Sequence, residues 1–458
     1  MENIKFGTDG WRAVVGRDFN GKNVETVTNS IGKYILDNFG VEKTVIVGYD
    51  PRNMADVFSA ECAKQLADIG FNVQYSEKVV PTPVLAYGAK SQNACAIMFT
   101  ASHNPPEYLG MKFIPDYAGP ATTEITDQLT HNLGLKPAKQ RDGSVKRVDF
   151  FKPYYEHLKN LIDFDKIRTL KTNIIFDGLY SASIGYFDRI LELEKIQYQS
   201  LHMEHDTNFG GGMPEPKPKF LKELIAKVQS TPNSIGCAND GDADRFGVIN
   251  ENGEYVSPNE IIAILLIHLK KHKNLDGALV KTVGASLLLN KIAENLGVEV
   301  IETAVGFKHV GEAMRKFNCI IGGEESGGLS IQGHIPEKDG LLANLLISEA
   351  MAYENKPLTE LQKDLYTLAG CKFYNDRIDL RLKSQDEVKP VLEKYKNTDK
   401  IGNYTVIKKD TKDGVKLYLS DNTSWILVRP SGTEPLLRIY FESGSPEKIE
   451  ELKKLVNQ

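Results

Sequence analysis

Cysteine is scarce in this chain: five among 458 residues, an odd number, at positions 62, 95, 237, 319 and 371. No two of them stand at metal-ligand spacing. That excludes a disulfide framework and a zinc-type cysteine site. Most sit in apolar segments, which suits buried, reduced thiols. Long hydrophobic runs are also missing. The longest strongly apolar stretch is Ile261 to Leu269, broken by His268, and it is too short to span a bilayer. The first residues, Met1-Glu2-Asn3-Ile4-Lys5, hold no apolar signal core. Nor is there a long basic stretch. The 56 Lys and Arg are mixed with 61 Asp and Glu, for a net charge of −5, which speaks against a nucleic-acid surface. What is present, 41% hydrophobic and 26% charged residues, is the composition of a globular protein. The length suggests roughly three or four domains. These bounds fit a cytoplasmic enzyme with neither membrane nor nucleic acid as a partner. They leave its oligomeric state open.

Helical and strand patterns alternate through the first 360 residues or so. Thr44 to Val47 reads as a strand, and Val24, Val27, Ile31, Tyr34 and Ile35 mark a helix face before it. Asn173 to Phe176 and Ala278 to Val280 read as further buried strands. Such alternation favours α/β layers. A coarser repeat lies over it. Ala96 to Phe99, Ser234 to Ala238 and Cys319 to Ile321 are short apolar strands, and each ends in a polar loop bearing glycine or proline. Ligands collect outside the carboxyl ends of strands in open α/β sheets, so three such units could aim three loops into one cleft. After about residue 370 the pattern changes to strands with turn signals at Gly402-Asn403 and Lys412-Asp413-Gly414, closed by a helix carrying Ile449, Leu452 and Leu455. That is an α+β layout, and the stretch Glu354 to Cys371 is expected to contain the joint.

Each loop has a chemical and a plain reading. Ser102, in Thr100-Ala101-Ser102-His103-Asn104-Pro105, places a hydroxyl at the end of a core strand, where it can carry a covalent group or merely cap a turn. Asp240, Asp242 and Asp244 alternate with Gly241 and Ala243. They form a solvated acidic turn, or they converge on one hard cation such as Mg²⁺. An EF-hand is rejected. Glu251 falls at its twelfth position, but Arg245 stands where that loop needs glycine, and Phe246 to Ile249 read as strand. Glu324 and Ser326, in a loop with four glycines, suit a polyol or a simple turn. Arg429-Pro430-Ser431-Gly432-Thr433, with Arg438 nearby, reads as a phosphate cradle of forked donors and hydroxyls, or as a salt-bridged hairpin.

Together these loops resemble the α-D-phosphohexomutase superfamily, which includes phosphoglucomutases and phosphomannomutases. The matching elements are F-G-T-D-G-W-R at 6–12, T-A-S-H-N-P at 100–105, D-G-D-A-D-R at 240–245, G-E-E-S-G-G at 323–328 and R-P-S-G-T-E-P at 429–435. They stand in family order and span essentially the whole chain. The resemblance implies three related α/β domains plus a smaller C-terminal α+β domain around a central cleft. Expected bounds are 1–145 with the phosphoserine, 150–252 with the metal, 253–368 with the sugar and 370–458 with the phosphate site. It implies a phosphohexomutase moving phosphate between C1 and C6 of glucose or mannose through a hexose 1,6-bisphosphate.

By the same resemblance, Ser102 carries the phosphoryl group and joins Asp240, Asp242 and Asp244 around Mg²⁺. Lys112, Arg12 and His103 are catalytic candidates, with Lys112 at the family position of an acid/base. Arg245, Gly306, Lys308, Glu324 and Ser326 meet the sugar, and His334 and Lys338 stand second in line for proton transfer. Arg429, Ser431, Gly432, Thr433 and Arg438 grip the non-reacting phosphate. Two departures bear on this. Leu109 stands where the family commonly has Asn, which is expected to alter loop packing. Glu325, Gly328 and Trp11 differ from the Gln, His and Ile usual in phosphoglucosamine mutases, which favours hexose over glucosamine phosphates. Phosphoglucosamine mutase is the alternative activity. A non-catalytic sugar-phosphate binder would lack one of the motifs, and all are present.

Overall fold

The computed structural model describes residues 4–430 and 435–456. Its strands form four sheets. The first holds β1 (Trp11–Val14), β2 (Val45–Tyr49), β3 (Asn72–Ser76), β4 (Cys95–Phe99), β5 (Tyr108–Ile114) and β6 (Ser144–Val148). The second holds β7 (Asn173–Asp177), β8 (Tyr198–Leu201), β9 (Ser234–Asn239), β10 (Phe246–Ile249) and β11 (Tyr255–Val256). The third holds β12 (Ala278–Thr282), β13 (Val300–Thr303), β14 (Cys319–Gly323) and β15 (Leu329–Ile331).

The loose repeat in the sequence is a strict repeat of topology. The orders β5-β4-β2-β3, β10-β9-β7-β8 and β15-β14-β12-β13 are one pattern. Three strands are parallel, and a fourth lies antiparallel at the flank. The Ser102 loop, the three-aspartate loop and the Glu324 loop all join the last parallel strand (β4, β9, β14) to the antiparallel one that follows it (β5, β10, β15). Their shared place, rather than shared residues, brings them together.

Alternation along the strands decides which core each side chain enters. Val45 and Val47 pack with Cys95, Ile97 and Phe99 in one cluster. Ile46, Ala96 and Met98 face the other way, into a cluster that continues through Ile174, Phe176, Leu279 and Ile321. The first three units therefore share one core. The run Ile261 to Leu269 lies in the buried helix Pro258–His272, opened by a capping box of Ser257 and Glu260. Among the described residues no helix is long and apolar enough to cross a membrane. All five cysteines are free, four of them buried.

One sequence bound needs correction. The first sheet continues past residue 145 through β6, whose parallel pairing with β3 reaches Val148. Its side chains are mostly exposed, so no apolar alternation announced it. Most of the stretch 354–371, expected to contain the joint, is the helix Leu358–Ala369, which buries Leu358, Leu361 and Leu365 and is capped by Gly370 at the stretch's end.

The fourth sheet contains β16 (Tyr374–Arg381), β17 (Lys400–Ile401), β18 (Tyr404–Asp410), β19 (Val415–Leu419), β20 (Trp425–Pro430) and β21 (Leu436–Ser443), around its own core. It docks on the third unit through Val283, Trp425 and Leu427. Lys416 on β19 is fully buried there and donates to the Val283 carbonyl at 2.6 Å. Burial, then the neighbouring Lys281, push its amine down to about 7, against the pull of Glu302, Glu442 and Glu325. The unfolded chain keeps that proton to about pH 10.4. Between the two values folding releases a proton, so stability rises with pH there and is lost as pH falls through 7. Wild-type protein should gain melting temperature relative to Lys416→Met between pH 7 and 9. Parallel pH profiles of the two would refute this assignment.

Candidate active site

Ser102 follows β4 and is fully buried. Its Oγ donates to Asp240 Oδ2 at 2.6 Å and lies 3.4 Å from His103 Nδ1. The two loops touch so closely that a Cβ on Gly241 would stand 2.4 Å from the Ser102 carbonyl oxygen, so only glycine fits.

Asp240, Asp242 and Asp244 are all fully buried, with one oxygen from each within 4.8 Å of the others. Asp242 Oδ1 and Asp244 Oδ1 have no hydrogen-bond partner. Buried carboxylate oxygens without partners are costly, and three converging carboxylates are the donor set of a hard divalent cation. The residues fit such an ion. Burial, then Asp244 and Asp242, push the Asp240 carboxyl well above the usual carboxylate range. Glu251, the discarded EF-hand residue, is engaged elsewhere, accepting from the N–H groups of Leu358 and Thr359.

Lys112, on β5, reaches the same carboxylates. Its Nζ lies 2.7 Å from Asp242 Oδ2, 2.8 Å from Asp244 Oδ2 and 2.9 Å from Asp9 Oδ2. Burial disfavours its charge, but the three carboxylates outweigh that and raise its amine well above the usual lysine range. It is held as an ammonium, a fixed positive charge at the centre of the cluster. Leu109, three residues earlier, faces the opposite side of the strand and joins the first core. Lys338 adds a second ammonium, 3.0 Å from Asp244 Oδ2. Its stem lies where a Cβ on Gly328 would stand. Arg12 pairs with Asp9 at 2.8 Å and donates to Asn104 Oδ1 at 3.0 Å. Burial, then Arg245 and Arg12, push His103 down to about 2, so its ring is neutral, a weak base that passes on readily any proton it takes.

A cleft of about 400 Å³ opens above this cluster. Arg12, His103, Arg245, Gly306, Lys308, Glu324, Ser326 and Lys338, all expected from sequence, line it. Ser326 Oγ donates to Glu324 Oε1 at 2.5 Å, and Lys308 Nζ reaches Thr123 Oγ1 at 3.0 Å. Arg429 and Arg438 stand opposite each other on β20 and β21, hence on one face of the fourth sheet. Arg429 donates to Asp413 at 2.8 Å, and its buried Nε has no partner, an open donor for an anion. Asp413 also accepts the Val305 N–H, which ties this pair to the cleft rim. Ser431, Gly432 and Thr433 lie outside the described residues.

One expectation is corrected. His334 does not reach the cleft. Its side chain is fully buried, hydrogen-bonded to Asp339 at 2.9 Å and stacked on His157. Trp11, noted for its contrast with Ile, is buried and stacks on Phe19 at 4.7 Å, so that contrast is one of core packing. Sequence reasoning also passed over Asp9. Despite burial, Lys112, Lys338 and Arg12 hold its carboxyl well below the usual range. Its place inside the F-G-T-D-G-W-R motif was the available signal. Thr82, whose hydroxyl donates to Asp242 Oδ2 at 2.6 Å, had none.

A buried hydroxyl against a carboxylate triad, under a cationic rim, defines an enzyme that moves a phosphoryl group. Four descriptions of one family match in series: phosphoglucomutase/phosphomannomutase alpha/beta/alpha domain I over 3–135, domain II over 152–253, domain III over 257–369 and the C-terminal domain over 380–458. A phosphoglucomutase/phosphomannomutase of Thermococcus kodakarensis is 30% identical, covering 98% of this chain and 97% of its own. A phosphoglucosamine mutase of Caldicellulosiruptor bescii is also 30% identical, over 98% and 96%. The crystal structure of a Thermus thermophilus protein described as a phosphomannomutase superposes with a TM-score of 0.88 at 32% identity, covering 100% and 99%. The chain belongs to the phosphoglucomutase/phosphomannomutase family of the α-D-phosphohexomutase superfamily, whose members are intramolecular phosphotransferases.

Proposed function

We propose that this phosphohexomutase moves phosphate between C1 and C6 of glucose or mannose, with Ser102 as carrier and the hexose 1,6-bisphosphate as intermediate and activator. The observation that carries the reading is the contact of Ser102 Oγ with Asp240 beneath the cationic cleft. Asp240, Asp242 and Asp244, joined by the phosphoserine oxygen, would hold Mg²⁺, which when bound offsets the charge of the transferring group. The residues do the rest. Phosphoryl transfer demands alignment and charge compensation more than covalent chemistry. Lys112, Lys338 and Arg12 surround the reacting end with fixed cations. Phospho-Ser102 passes its phosphoryl group to one sugar hydroxyl, and as the P–Oγ bond breaks the hydroxyl proton passes to Oγ, with His103 Nδ1, 3.4 Å from Oγ, placed to relay it. The bisphosphate turns end over end, and Ser102 takes the other phosphate. The Oγ proton passes to the sugar oxygen left behind, beside the positive charge of Lys112. Arg429 and Arg438, with Ser431, Gly432 and Thr433, grip the phosphate that is not reacting. Glu324, Ser326 and Lys308 orient the ring.

Glu325 stands where phosphoglucosamine mutases usually carry Gln, and that motif difference supports a hexose over a glucosamine phosphate; the residue lines the cleft and accepts from Thr282 at 2.5 Å. The relatives named phosphoglucosamine mutase keep the amino sugar as the competing substrate. Initial rates on glucose, mannose and glucosamine 1-phosphates decide. Preference for glucosamine phosphate overturns the hexose reading. In the same assay Arg429→Lys should lose about 1–3 kcal/mol of catalytic efficiency on every sugar, since a point charge replaces a planar fork. Glu324→Gln should instead reorder the sugars. The reverse pattern would exchange the roles of cradle and sugar loop.

A further inference from the structure

Arg52 lies just after β2, outside the cleft, and is 2% exposed. A guanidinium has five N–H donors, and here every one is engaged. Nε donates to Asp50 Oδ2 at 3.2 Å. One terminal nitrogen donates to the carbonyls of Pro105 at 2.8 Å and Tyr108 at 3.0 Å. The other donates to those of Ser102 at 2.6 Å and Asn104 at 2.7 Å. All four carbonyls belong to the turn that carries Ser102 from β4 into β5. Asp50 closes the circuit. Its Oδ2 accepts the Thr100 hydroxyl at 2.6 Å, and that hydroxyl oxygen accepts the Ser102 N–H at 2.8 Å. Both backbone polar groups of Ser102 thus end on the Asp50–Arg52 pair. From the second unit the Phe209 ring covers the guanidinium at 5.0 Å.

Ser102 needs such restraint. Its φ of 53° lies in the left-handed region, which a residue other than glycine keeps only where its surroundings over-determine it. We propose that Arg52 is a positioning residue for phosphoryl transfer, holding the Ser102 turn so that Oγ stands against Asp240. The proposal rests on Ser102 being the carrier. The groups assigned to the sugar and the distal phosphate lie on other loops, so Arg52 governs the chemical step and leaves sugar-phosphate binding alone. Lysine cannot replace it, since three rotatable donors cannot hold five fixed acceptors.

The test measures kcat and KM for Arg52→Lys and Arg52→Gly on the sugar phosphate wild type prefers, alongside Ser102 phosphorylation by glucose 1,6-bisphosphate. Both variants should lose about 100-fold in kcat, the scale for a misplaced reacting group, with KM unchanged. Both should still take one phosphoryl group, more slowly. Methylguanidinium should restore part of the kcat of Arg52→Gly. A wild-type kcat in Arg52→Lys, a loss that falls on KM, or no rescue of Arg52→Gly overturns the proposal. Thr100→Val cuts the other strand of the network with little change of shape and should also lower kcat at constant KM. A wild-type kcat there overturns the proposal even if neither Arg52 variant folds. Peptide mapping of phosphorylated wild type separates the premises. A phosphoryl group on another residue refutes Ser102 as carrier. A group on Ser102, with normal turnover in the variants, refutes only the role of Arg52.

Discussion

Ser102→Ala will fold and will not turn over. The hydroxyl makes one side-chain hydrogen bond of normal length, to Asp240, and the backbone of the turn is held by Arg52 and Thr100 whatever side chain stands at 102. The loss in kcat should be on the order of 10⁶-fold, the scale for removing a covalent nucleophile. Wild-type intact mass should rise by one phosphoryl group on incubation with glucose 1,6-bisphosphate, and the variant's mass should not change. Residual turnover near wild type would remove Ser102 from the mechanism.

The second large effect is expected at Asp242. Asp242→Asn removes a charged ligand from the triad. It also weakens the hold on Lys112, whose ammonium lies 2.7 Å from that carboxylate, and alters the bond from Thr82. Metal affinity should fall at least about tenfold, a lower bound set by what even outer-shell changes cost, and activity should fall with it. In wild type, excess chelator should abolish turnover and added Mg²⁺ should restore it. Full activity in chelator would exclude the triad as an essential metal site. An Asp242→Asn enzyme with wild-type Mg²⁺ dependence would move the site elsewhere.

Much of the fold could be read from the chain because buried parallel strands announce themselves. Val45–Tyr49 and Cys95–Phe99 are apolar on both faces, and their carboxyl ends carry the polar breaks. Exposed β6 has no such signature, since backbone pairing rather than side-chain burial holds it in place. The triad was legible because its three carboxylates are close in sequence. Asp9, Arg52 and Thr82 act on partners far along the chain. Arg52 meets Ser102 at a separation of 50 residues, and Thr82 meets Asp242 at 160. Asp9 meets Lys338 across a separation of 329. No local pattern encodes such contacts. His334 misled for the opposite reason. Its motif stands beside a true cleft residue, Lys338, but the turn between them sends the imidazole inward, to Asp339.

The three-aspartate loop is anchored from all three of the first units. Asp242 receives Thr82 of the first unit through both its side chain and its carbonyl. The Gly241 carbonyl accepts the Ala182 N–H of the second, and the Ala243 carbonyl accepts the Gly340 N–H of the third. The loop is a keystone, and a keystone is set last. During synthesis Ser102 emerges from the ribosome long before Gly340, the glycine that fixes the loop. A growing chain thus holds the Ser102 turn before the loop that Ser102 Oγ meets is anchored on every side.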